Sequence, residues 1–145
     1  MMPFLIATLV GGALLYALME GTALRSKKGQ RRGKSIGPKL KKAEVRTRWE
    51  NIMISSQQGA IGLKSSISEA DKLLDYVMRT NCYGGETMAD RLRSAQAEFR
   101  DLDSVWRAHK LRNALAHEMN FDLVPRQAHE ALKDFERALH DLGAL

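Results

Sequence analysis

Cysteine is nearly absent from these 145 residues. A single one, Cys82, excludes a disulfide framework and a cysteine-rich zinc site, and suits a reducing compartment. There are only three prolines, and the long stretches between them are rich in Ala, Leu, Glu, Lys and Arg, which disfavours an all-β fold. No GxGxxG, P-loop, HExxH or GxSxG pattern occurs, so the common nucleotide-binding, zinc-protease and hydrolase signatures are missing, and no internal repeat is visible. What remains is 44% hydrophobic and 28% charged residues, the balance of a chain that folds.

The net charge of +6 invites a nucleic-acid reading until the charges are located. From Arg25 to Arg48 there are eleven Lys/Arg against one acid, Glu44, whereas residues 49–145 carry 12 basic and 15 acidic side chains. The basic character therefore belongs to one short segment.

No charged side chain occurs from Met1 to Met19. As a helix, residues 2–19 would cover roughly 27 Å, enough for a hydrocarbon core. A cleaved signal peptide would carry positive charge ahead of the apolar run, and a soluble core helix would need partners on every face. A membrane anchor over residues 1–24, with residues 2–19 in the bilayer, needs only the apolar run and its charged flank. The basic flank predicts an N-terminus outside the cell membrane and a cytoplasmic body. Residues 25–43, with Gly, Ser and Pro among like charges, read as an extended basic linker. Arg25–Arg48 would meet anionic lipid heads, or nucleic-acid phosphates by the same electrostatics; no aromatic residue is interleaved there to stack on bases.

Residues 44–145 read as an all-α, antiparallel bundle of four to five helices. Val45–Ile54 suggests the first. Ser66-Ile-Ser-Glu69 has the pattern of a capping box, followed by Ala70, Leu73, Leu74, Val77 and Met78 at helical spacing. Gly84-Gly85 predicts a turn and Thr87-Met-Ala-Asp90 a cap for a third helix. A fourth helix is expected from about Asp103 to Glu118, and a fifth from Pro125. Short loops imply antiparallel neighbours.

At 100° per residue the fourth helix sorts into two faces. Val105, Ala108, Leu111, Leu115, Ala116 and Met119 form an apolar stripe. Opposite lie Trp106, His109, Lys110, Asn113 and His117, with Arg112 at the border. Two histidines, an amide and an indole exceed what solubility requires. They are candidate binding groups, although an Asn and a His also serve to satisfy buried carbonyls, and Trp106 also suits half-buried core. His109 and His117 stand two turns, roughly 12 Å, apart, so no metal site is expected from them. Glu69, Asp71 and Asp75 read as a solvated face or as ion-pair partners of Arg112 or Lys72.

Arg112-Asn113-Ala-Leu-Ala-His117, on the penultimate helix and followed by a Pro-started, Ala/Leu-rich final helix, resembles the Arg-x4-6-His motif of HEPN domains. The body from Trp49 to Leu145 also resembles small helical proteins of uncultivated bacteria, which share an acid-bearing helix like Glu69–Asp75 ahead of Gly-Glu-Thr-Met. The resemblance implies a helical bundle, usually dimeric, and in its catalytic members a ribonuclease without metal or other cofactor. His117 would then move a proton at the 2′-hydroxyl or leaving oxygen, Arg112 would stabilise the scissile phosphate, and Asn113 would orient either. His109, Lys110 and Trp106 are left as candidate contacts to RNA. Many HEPN domains are instead non-catalytic partners of nucleotidyltransferases or dimerisation modules.

Overall fold

Five α-helices and one short 3-10 turn follow one another in the computed structural model, which describes residues 40–118 and 121–145. The expected anchor and nearly all of the linker lie outside the described residues, as does Met119. Among the described residues there is no strand, and no helix is long and apolar enough to cross a membrane.

Helix α1 spans Lys42–Ser56, so its first turn lies inside the segment read as linker. Val45, Trp49, Ile52 and Ser56 recur at intervals of three and four and are buried. Two residues later α2 begins, at Gly59–Thr80, seven residues ahead of the capping box expected at Ser66. The Ser66 hydroxyl does not cap anything. It is 1% exposed and donates to the Ile52 carbonyl at 2.9 Å, clipping α2 to α1. Gly62 makes the same approach possible through the backbone, because a Cβ there would stand 2.1 Å from the Ser55 carbonyl oxygen. A polar pattern that looks like a helix start was here a site of close helix packing, and the turn was made by Gln57, Gln58 and a positive-φ Gly59.

Thr87 and Asp90 do form the reciprocal capping box of α3, Met88–Ser94, with Thr87 accepting from the Asp90 N–H and Asp90 from the Thr87 N–H. A 3-10 turn, Gln96–Glu98, leads to α4, Leu102–His117, whose start is capped by Asp101 accepting from the Ser104 N–H. Helix α5, Pro125–Asp141, begins with Pro in the first turn and buries Ala128, Ala131, Leu132, Phe135, Ala138 and Leu139 along one stripe. Each of the larger three stabilises the fold by about 1.5–3 kcal/mol through burial.

Cross-helix contacts fix the directions. Ile52 meets Ser66, and the Arg48 guanidinium lies 5.0 Å from the Tyr76 ring centroid, so α1 and α2 run antiparallel. Lys64 reaches the Phe121 carbonyl while Asp71 reaches His109, so α2 and α4 do likewise. Arg107–Asp134 and Arg100–Asp141 set α4 against α5 in the same sense. The C-terminal ends of α1 and α4 and the N-terminal end of α2 therefore share one end of the bundle. That end exposes Ile54 and Ile61, while the chain enters α1 at the other.

Candidate functional site

Helix α4 crosses α2 at the level of Asp71, one of the acids the sequence marks as a solvated residue or an ion-pair partner. It is the latter, and buried: Asp71 is only 4% exposed. Its Oδ1 lies 2.8 Å from His109 Nδ1, and its Oδ2 lies 3.5 Å from Arg112 Nε. On the far side of the imidazole, His109 Nε2 stands 3.2 Å from Asn113 Nδ2. Asn113 Oδ1 accepts from Arg112 Nη1 at 3.0 Å. Asp71, His109, Asn113 and Arg112 thus close a ring of polar contacts between two helices.

The ring has one consistent proton arrangement. Arg112 has only donors, so the Asn113 atom that faces it must be the carbonyl oxygen. That turns the Asn113 amide NH2 toward His109, whose Nε2 must then accept. The Nδ1 therefore carries the hydrogen and donates to Asp71, which is the neutral Nδ1–H tautomer. Arg112 Nε is buried without a hydrogen-bond partner; its link to Asp71 at 3.5 Å is electrostatic.

His109 was expected on the outward polar stripe and is instead 7% exposed, because the ring turns it toward α2. It is unsuited to direct phosphate contact. Asn113 is half-buried within the ring, and Arg112, with its side chain 28% exposed, reaches the surface beside it. His117 is the last residue of α4 and exposed. Within one chain, Arg112 and His117 leave the helix about 140° apart, so they do not converge. Lys110 is exposed as expected, and Trp106 is half-buried, its ring 6.0 Å from that of His109 at 68°.

Of the remaining acids, Asp75 is held by Arg91 Nε at 2.6 Å and Arg79 Nε at 3.2 Å, while Glu69 pairs with Lys72 on the surface. Arg91 also donates to the Gly85 carbonyl, which locks the loop before α3 onto α2. Arg48, the last cation of the basic segment, belongs to α1 and pairs with Glu44 at 2.5 Å. Arg93, which no motif in the sequence singles out, places its guanidinium 5.7 Å from the Trp106 ring centroid. Arg93 is on α3 and Trp106 on α4, so no local spacing announces the pair. Among the described residues, no group of three or more His, Cys, Asp or Glu is placed to hold a metal ion.

No protein-family model matches the chain, and comparisons with curated proteins and with solved structures give no match either.

Proposed function

We propose that this chain is a membrane-anchored, HEPN-like helical protein that cleaves RNA without a metal, through Arg112 and His117 brought together across a contact between two copies. The observation that carries the proposal is the ring around Asp71. It spends a buried carboxylate, an imidazole and an amide on holding one arginine, Arg112, at the bundle surface. A side chain kept in place this way binds a phosphate with little ordering cost. His117, exposed on the last turn of the same helix, is the candidate proton-transfer group. Because the two diverge within one chain, a second copy must complete the site. Residues 2–19 would anchor the protein, Arg25–Arg48 would lie against anionic lipid heads, and the bundle would face the cytoplasm.

A second reading has its own observation. Asp71 already offsets the Arg112 charge, which suits a non-catalytic module whose α4 surface binds a second copy or a partner such as a nucleotidyltransferase. RNA cleavage by the full chain in detergent with EDTA separates the two. Wild type is expected to cleave, and His117→Ala and Arg112→Ala to lose most of that activity. Equal background cleavage by all three refutes the nuclease and leaves the module.

A further inference from the structure

The outer face of α4 carries a feature that the Arg112/His117 site does not use. Trp106 is one of two tryptophans in the chain; the other, Trp49, is 6% exposed and donates its indole N–H to Glu136 at 3.1 Å. Trp106 packs only partly against the core. An open hollow of about 570 Å³ lies over it, lined by Asp103, Trp106, Arg107 and Lys110. Arg93 reaches over one face of the ring from α3, its guanidinium 5.7 Å from the centroid, with 66% of its side chain exposed and an ion pair to Asp90. Arg107 is equally exposed, its guanidinium resting on buried Asp134. An indole left in a hollow, with three exposed cations and one lining acid around it, has the makings of a surface for a flat, negatively charged ligand.

The position along α4 narrows the ligand. Trp106, Lys110 and His117 fall within about 40° of one another around the helix, and Trp106 and His117 are about 16 Å apart along it. A strand following this stripe would pass from the indole, over Lys110, to the imidazole. A duplex hides its base faces and cannot stack on Trp106, whereas a single strand can.

We propose that the hollow over Trp106 is a stacking site for a base of single-stranded RNA, with Arg93, Arg107 and Lys110 taking the neighbouring phosphates. The choice of RNA rests on the ribonuclease reading, which the stacking site deepens by naming an unpaired substrate. The buried His109 ring lies against the indole at a steep angle, and its own place is fixed by Asp71.

Tryptophan fluorescence of the full chain in detergent tests this directly. The probe is a short single-stranded RNA with 2′-O-methyl riboses, which cannot be cleaved through a 2′-hydroxyl, so binding is read apart from chemistry. Saturable quenching is expected; it should persist in His117→Ala and disappear in Trp106→Leu. Lys110→Ala should lower the slope of log affinity against log salt by about 0.7. Affinity in Trp106→Leu, followed by anisotropy of labelled RNA in moderate salt, should fall by about 5- to 150-fold. Absence of quenching in wild type overturns the proposal, and this reading needs no variant to fold. Equal quenching by the duplex of the same sequence also overturns it, since phosphate contact alone would suffice. Equal quenching by polyglutamate overturns it in favour of an acidic peptide. If cleavage fails while single-strand quenching stands, the nuclease falls and the stacking site survives.

Discussion

Replacing Asp71 by alanine should be the most damaging single change among the polar residues of α2. Two groups lose their partner at once. His109 Nδ1–H, in a residue 7% exposed, is left without an acceptor, which costs about 1–3 kcal/mol. Arg112 loses its counter-charge, and a broken fully buried pair would cost about 3–5 kcal/mol. The Arg112 side chain is 28% exposed, so water takes up much of that second loss. A combined cost of about 3 kcal/mol follows. At about 4–8 °C per kcal/mol for a domain of this size, Asp71→Ala should melt about 12–24 °C below wild type. Asp71→Asn keeps an oxygen for His109 but loses the charge and turns an amide NH2 toward Arg112 Nε, so it should cost about 1–2 kcal/mol. Denaturant titration followed by circular dichroism measures both. A cycle with Arg112→Ala then isolates the pair, with a coupling of about 1 kcal/mol or more expected. Nitrogen-15 shifts of His109 should show the Nδ1–H tautomer in wild type and lose it in Asp71→Ala. A stability change under about 0.5 kcal/mol, or the opposite tautomer, would refute the ring as described.

Gly62→Ala should destabilise by about 1–3 kcal/mol or more, because its Cβ meets the Ser55 carbonyl and α1 must move away; a melting point unchanged from wild type would deny that approach. His117→Ala, at an exposed helix end, should leave stability within about 0.5 kcal/mol while Arg112→Ala lowers it, so thermal melts of the two variants should diverge. The Thr87 hydroxyl and then its backbone N–H hold the Asp90 carboxyl below its ordinary value of 3.8, helped by Arg93 and Arg91. The stability this lends the start of α3 is complete above that ordinary value and is lost as pH falls through the lower folded one; protection of the Asp90 and Arg91 amides should decline as pH falls below 3.8, and Thr87→Ala should remove that dependence. If the tether has the expected orientation, a protease added outside intact cells leaves the bundle uncut, and digestion there would reverse the topology.

The helical architecture was legible because its signals are local. Pro125 with the α5 stripe and the Thr87–Asp90 box each rest on neighbours in sequence, and each appears where its residues predict it, whereas the turn expected at Gly84-Gly85 is made earlier, at Asn81-Cys82, with Cys82 at positive φ. Ser66 failed for a reason of packing: a hydroxyl that reads as a cap was recruited by the Ile52 carbonyl of another helix. The candidate site divides the same way. Helical spacing placed His117 and Lys110 outward correctly. It put His109 outward too, because a helical wheel scores imidazole as polar and cannot see a buried carboxylate 38 positions away. Arg112 sat at the border on the wheel and at the border in the structure, and its pairing with Asp71 was among the partners the sequence allowed.

The alternation of helix directions has a consequence for where the exposed end of α4 lies. The chain enters the bundle at Lys42, and α1 carries it 15 residues, about 22 Å, before the first reversal. Helix α4 terminates at that far end, so His117 shares it with the exposed Ile54 and Ile61. Whatever meets His117 therefore does so about one length of α1 away from the point where that helix begins.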